Sequence, residues 1–204
     1  MIQSKKDYLF YLRADLLANN MTEWKWHHNY TKPVRSYQRL LRKVEFYKNC
    51  KKGLLGRLYL LLLKYRFYKK SVDLGLQIKP NVFGPGLGLP HYGSIVVSSR
   101  AKIGRNCRIH SATNIGESDG QAPIIGDNFY MGPGAKIAGG IRIGDNVAIG
   151  ANAVVFKDVP SDVTIGGIPG RVISKKGSKS LVIDGYGQAL SEMEKSVKKE
   201  TSYG

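Results

Sequence analysis

A chain of 204 residues is long enough for one domain with a real core, or for a repeat domain with a smaller cap, and its 42% apolar content argues against disorder despite 24 glycines. Two cysteines, Cys50 and Cys107, imply no disulfide framework and fit a reducing, cytoplasmic setting. The net charge of +17 is unevenly placed: residues 1–80 hold 18 Lys and Arg against 5 Asp and Glu, or +13, while the rest hold 14 against 10, or +4. A basic segment of this kind suits nucleic acid, an anionic membrane face or an anionic substrate, or serves only to keep the chain solvated.

Lys5, Lys6 and Asp7 precede any apolar run, so no secretory signal is expected. Residues 4–18 place Tyr8, Leu9, Tyr11, Leu12 and Leu16 at helical spacing behind a Ser4/Asp7 capping pair, which predicts a helix ended by Asn19-Asn20. Thr22 to Pro33 is an aromatic connector. Trp24, Trp26, His27, His28 and Tyr30 there are read as packing under a loop in preference to a ligand site. A second helix is expected over Val34–Asn49, with Tyr37, Leu40, Leu41, Val44, Phe46 and Tyr47 on one face and Arg35, Arg39, Arg42 and Lys43 on the other. A third spans about Leu54 to Lys70. Its run Leu58–Leu63 is far too short for a membrane span, which needs roughly 20 apolar residues. The run reads as the buried seam of a helical cap, ahead of contact with an anionic membrane surface.

Helical periodicity stops at Ser71–Pro90, where Gly and Pro enter. From Ala101 to Ile173 apolar residues recur six apart: Ile103, Ile109, Ile115, then after an offset of ten Ile125, Met131, Ile137, Ile143, Ile149 and Val155, and after a second offset of ten Ile165. Glycine often follows each, with Asn, Asp or Gly shortly after to relieve corner strain. A six-residue repeat is too short for a helix pair or a propeller blade and fits a parallel β-helix, three units per triangular coil. The expected fold is mainly β: a parallel β-helix of hexapeptide repeats (73–174) behind an N-terminal α-helical region (1–72), followed by a tail (175–204). The tail is expected to hold a linker at Ser174–Ser180, a polar helix at about 188–199 and a mobile end at 198–204.

The interior of so small a β-helix is filled, so a site belongs on its outside, in grooves that a homotrimer would wall with two subunits each. Both ten-residue offsets are expected to protrude, the first as Glu117–Pro123 and the second between Val155 and Ile165. His91, in the turn Pro90-His91-Tyr92-Gly93, and His110, after Ile109, are candidate general bases, because an imidazole with a pKa of roughly 6.5 accepts a proton at physiological pH. The alternative for each is a corner hydrogen bond. Two histidines beside the coils are too few for a three-histidine zinc site, so no metal is expected.

The stretches GLGLPHYGSIVV, MGPGAKIAGGIRIGDNVAIGANAVV and TIGGIPGRVI resemble the serine acetyltransferase branch of the hexapeptide-repeat (left-handed β-helix) acyltransferases, over about Leu76 to Ser174. Within that branch the sequence looks most like the members serving surface-polysaccharide pathways. The resemblance implies acetyl-coenzyme A as donor and His91 as general base on an acceptor hydroxyl, with Tyr92, His110 and Gln121 around the acceptor. It sets the coenzyme along Gly116, Gly132, Pro133 and Ala151, with Lys157 and Arg171 on its phosphates. Two departures stand out. The family's orienting aspartate is replaced at Gln77, leaving Glu117, Asp119 or Asp73 as candidates. The family's Arg-His pair for a serine carboxylate falls where this chain reads Asp119-Gly120-Gln121-Ala122, with no cation. The reading preferred from sequence is therefore O-acetylation of a sugar hydroxyl by a cytoplasmic enzyme held near the membrane by its basic helices. Serine O-acetylation is the alternative enzyme reading, and a basic trimeric scaffold for membrane or nucleic acid is the non-enzymatic one.

Overall fold

The computed structural model describes residues 1–201, without the side chains at 197 and 199–201; of the end expected to be mobile, 202–204 lie outside the described residues. Four helices come first: α1 (Lys5–Leu17), α2 (His28–Thr31), α3 (Pro33–Cys50) and α4 (Leu54–Leu74). The strands follow as β1 (Leu76–Gln77), β2 (Ile95–Val97), β3 (Lys102–Ile103), β4 (Arg108–Ile109), β5 (Thr113–Gly116), β6 (Ile124–Ile125), β7 (Tyr130–Met131), β8 (Lys136–Ala138), β9 (Arg142–Ile143), β10 (Ala148–Ile149), β11 (Val154–Val155), β12 (Thr164–Gly166) and β13 (Arg171–Ser174), before α5 (Gly185–Thr201).

The strands form three faces. The first is β1-β2-β5-β8-β11, the second β3-β6-β9 and the third β4-β7-β10-β12-β13, and from β2 to β11 successive strands visit the faces in turn. All pairs are parallel except β12 with β13. Two-residue strands make little of a sheet alone; here every inward apolar residue stacks on the one a coil above, as Ile109 on Met131 and Ile103 on Ile125. Ile95, Ile109, Met131 and Ile149 are fully buried. Burial of each such side chain contributes about 1.5–3 kcal/mol. At the corner between the second and third faces Asn106, Asn128, Asn146 and Asp162 all take positive φ, and each Asn amide donates to the next side chain at 2.9–3.0 Å. These side chains tolerate the left-handed conformation and hydrogen-bond along the stack.

The register shows where the repeat departs from six. Leu89 to Val97, on consecutive faces, spans eight residues, so two are added in the His91 turn. Ile115 to Ile125 spans ten, so four are added. The second offset is different. Val159 is buried and bridges to Ile143, so Val155 to Val159 spans four and Val159 to Ile165 spans the usual six. That corner is shortened by two residues, and the protrusion expected between Val155 and Ile165 does not exist.

The helices grip the irregular first coil with polar side chains. Its backbone lacks a regular coil below it, and buried backbone groups need partners. Asp15 Oδ1 accepts from the Gly86 and Leu87 amides, Asn19 and Gln38 both donate to the Leu87 carbonyl, and Arg35 donates to the Leu89 carbonyl. Arg42, expected on the solvated face of α3, is instead fully buried and bonded to Asp15 and Glu45.

Other expectations change as well. The α4 run Leu58–Leu63 is not a buried seam: Leu63 is buried, but Leu58, Leu61 and Leu62 are exposed. In the connector Trp26 and Tyr30 stand exposed rather than packed under a loop, while Trp24 stacks beneath Arg39. Ile173, expected in a coil, is exposed on β13, which turns back along β12 and closes the stack. The expected linker docks, with Ser178 fully buried and bonded to Asn128 and Asn146 carbonyls. The tail helix is longer than expected and packs on α1 through Ala189, Phe10 against Tyr186, and the Arg13–Glu192 ion pair.

Candidate active site

The corner between the third and first faces carries His91, Tyr92, His110, Pro133 and Ala151. The two extra residues at 91–93 let the turn stand out from the stack. Gly93 sits at φ +119, a conformation closed to most side chains, and its amide donates to the Leu74 carbonyl at 3.0 Å. His91 and Tyr92 are exposed in consequence. The His91 ring lies 5.8 Å from that of His110, which lies 5.3 Å from Tyr130. Burial, then Arg108 and His91, lower the His110 pKa below its ordinary value, which favours the neutral form of that ring. Arg108 and Tyr130 belong to this cluster although nothing marked them from sequence. The signal was the register, which pairs residues 108 and 130.

Along the same corner the next coils are bare. A Cβ on Gly132 would crowd the Ala151 amide at 2.9 Å, while Pro133 and Ala151 are exposed and the Asn152 amide donates to the Pro133 carbonyl at 2.9 Å. An extended ligand arm can lie here against backbone without displacing side chains. Gly116, by contrast, ends β5 at the far edge of the first face.

Glu117, Asp119 and Gln121 occupy the corner between the first and second faces. Ser118 and Gln121 exchange both backbone hydrogen bonds at 2.9 Å around Asp119 (φ 50) and Gly120 (φ 73). Positive φ at both central residues is the type I′ turn that Asp-Gly favours, so the protrusion is a tight hairpin. Glu117 accepts from Ser98 Oγ at 2.7 Å, and Gln121 lies on Gly140, where a Cβ would collide with it. The premise that no cation serves this loop fails: Arg100, from the coil below, donates to the Gly120 carbonyl at 3.0 Å. Twenty residues separate the two in sequence, which hid the pairing.

These two groups do not meet within one chain. From Gly93 to Ser98 the strand runs five residues, roughly 16 Å at 3.3 Å per residue. Among the described residues no carboxylate hydrogen-bonds the His91 ring, and Asp73 lies at the end of α4. Lys157, on the shortened corner, and Arg171, on β13, are both exposed but on different faces. Among the described residues no group of three or more His, Cys, Asp or Glu is placed to hold a metal.

Residues 122–157 match the bacterial transferase hexapeptide (six repeats) family. A serine acetyltransferase of Synechococcus elongatus is 41% identical over 108 residues, 50% of this chain and 44% of the relative. One from Staphylococcus epidermidis is 37% identical over 110 residues, 52% of each chain. The chain thus spans about half the length of the curated relatives it matches. Among solved structures, the serine acetyltransferase of Neisseria gonorrhoeae is 28% identical with a TM-score of 0.67, over 86% of this chain and 69% of that one. The serine acetyltransferase of Brucella abortus in complex with coenzyme A is 26% identical with a TM-score of 0.68, over 86% and 71%. The chain is a hexapeptide-repeat β-helix with serine acetyltransferases among its relatives in both sequence and fold.

Proposed function

We propose that this chain is an acetyl-coenzyme A-dependent O-acetyltransferase that acetylates serine. The observation that carries the reading is the expanded turn that sets an exposed His91 beside a His110 whose neutral form is favoured, on the corner that continues into the bare Gly132, Pro133 and Ala151 backbone. The serine acetyltransferases among its relatives, one of them solved with coenzyme A, support both donor and acceptor. His91 takes the proton of the acceptor hydroxyl as its oxygen attacks the thioester carbonyl. The tetrahedral oxyanion then collapses, and the departing coenzyme thiolate recovers the proton from His91.

The separation of His91 from the Glu117–Pro123 hairpin supports a homotrimer in which the hairpin of one copy faces the His91 turn of the next. In that arrangement Arg100 can present its charge toward an acceptor carboxylate, and Glu117 or Asp119 can orient His91. A sugar hydroxyl is the second reading, favoured by the Asp119, Gln121 and Glu117 side chains exposed on the hairpin.

Free thiol released from acetyl-coenzyme A on addition of L-serine tests the proposal, with hexoses and nucleotide sugars in parallel. Serine-dependent release that falls by about 10²–10⁴ in His91→Ala is expected. Release with sugars alone supports the second reading, and full activity in the variant removes His91 as the base.

A further inference from the structure

Helix α4 carries its most regular apolar pattern on the side facing away from the protein. Leu54, Leu58, Leu61, Tyr65, Tyr68 and Val72 follow one another at intervals of 4, 3, 4, 3 and 4, which places them in one stripe along the helix. All six are more than half exposed. The opposite side packs on α3, with Leu63 and Phe67 buried and Phe67 stacked on Tyr37 at 5.0 Å.

Cations flank the stripe: residues 51–74 hold seven Lys and Arg against Asp73 alone, or +6. Beside it, between α3 and α4, a cleft of about 490 Å³ is lined by Arg39, Lys43, Arg66, Lys69 and Lys70, and by Tyr65 of the stripe itself. Among the described residues none of these five cations is in an ion pair. Asp73 also lines the cleft, so five cations face one carboxylate there, a net +4 next to an exposed hydrophobic ridge.

A heptad-spaced stripe also suits pairing with a second copy of the helix. Here that pairing would bring Arg57, Lys64 and Lys69 of two copies together, and like charges beside a seam oppose it. A surface that accepts apolar side chains and supplies negative charge meets both features. We propose that α4 is a membrane-surface helix that lies on an anionic bilayer, its leucine and tyrosine stripe entering the acyl boundary and the cleft between α3 and α4 taking lipid phosphate. Its 21 residues give roughly 32 Å of helix parallel to the surface. Among the described residues no helix is long and apolar enough to cross a membrane, so the contact is peripheral.

Flotation of the full chain with vesicles tests this independently of acetyl transfer. The chain is expected to float with vesicles of phosphatidylcholine containing one-third phosphatidylglycerol, to remain behind with phosphatidylcholine alone, and to be released by high salt. The double variant Leu58→Asp/Leu61→Asp should lose flotation while keeping its helicity and its oligomeric mass, since both residues are exposed. Lys64→Glu/Lys69→Glu should weaken binding at least about tenfold. Equal binding to neutral vesicles overturns the proposal. So does a leucine variant that still floats but falls in mass, which would make the stripe a contact between copies. Flotation that duplex DNA abolishes while the leucine variant binds DNA undiminished likewise overturns it, by making the basic face a nucleic-acid surface.

Discussion

Arg42→Met is the substitution whose consequence follows most directly from the way the helices hold the first coil. All five guanidinium N–H groups are used: Nε and Nη2 donate to Asp15 at 2.7 and 3.2 Å, Nη1 to Glu45 at 3.0 Å, and Nη1 and Nη2 to the Phe83 and Gly84 carbonyls at 3.0 and 2.6 Å. Methionine fills much of the volume but strands two buried carboxylates and two carbonyls. Removing one partner of a buried ion pair costs about 3–5 kcal/mol, a large share of the 5–15 kcal/mol that a domain of this kind has. A fully apolar replacement of the triad does not recover that loss. Asp15 also accepts from the Gly86 and Leu87 amides, and each orphaned amide costs about 1–3 kcal/mol. Because residues 83–89 lead into the His91 turn, slack there should reach that turn before it reaches the later coils. Urea unfolding followed by tryptophan fluorescence should report the lost stability, and kcat should fall more than the KM for acetyl-coenzyme A rises. A loss of less than about 1 kcal/mol would show that water or a shifted helix relieves the stranded groups and would refute the reasoning.

Deleting Tyr92 and Gly93 restores six-residue spacing at the His91 corner, so the chain should fold and bind coenzyme A while acetyl transfer drops by at least about a hundredfold; calorimetry and the thiol assay measure the two effects. Gly120→Val forces a β-branched residue to φ 73 in the hairpin, at a cost of about 1–2 kcal/mol, and should lower the melting temperature and raise the KM for the acceptor without weakening coenzyme binding. His110 has a lowered pKa in the folded state, so its fold favours the neutral ring. Its stabilising contribution is complete above the unfolded pKa of roughly 6.5 and is lost as pH falls below that value, toward the folded pKa. Wild type should therefore lose stability relative to His110→Gln between about pH 7 and pH 5, as chemical denaturation at each pH would measure.

The coils were legible because each inward position repeats a single requirement, an apolar side chain followed by a residue that tolerates a corner. The helices were legible as helices, but not in how they face. Arg42 and Leu61 both contradict the rule that charge faces water and leucine faces the core. Arg42 is inside because the first coil presents carbonyls with no neighbouring strand, and a guanidinium supplies five donors in one plane. None of its long-range partners, Asp15 at a distance of 27 residues, Phe83 at 41 and Gly84 at 42, leaves a local pattern in the sequence.

The two offsets of ten show the same limit at the candidate site. In sequence, Ile115 to Ile125 and Val155 to Ile165 look identical, and both predict an outward loop. They differ because Val159 takes the inward place on the second face, whereas between Ile115 and Ile125 no residue takes an extra inward place and the surplus folds into a hairpin. Pro123, although buried, leads directly into β6 and does not add a station to the coil. Spacing alone counts residues between inward positions, but it cannot tell a skipped position from an inserted loop. The expansion at His91 escaped the count altogether, because the coil it interrupts lacks the Ile-Gly rhythm on its entering side. What survives as real insertion is two residues at His91 and four at Glu117–Pro123, on different corners of one face. The proposed base and the proposed acceptor loop lie about one strand length apart, so they can share a substrate only if a neighbouring copy brings the second to the first, and that is the geometric argument for an oligomer.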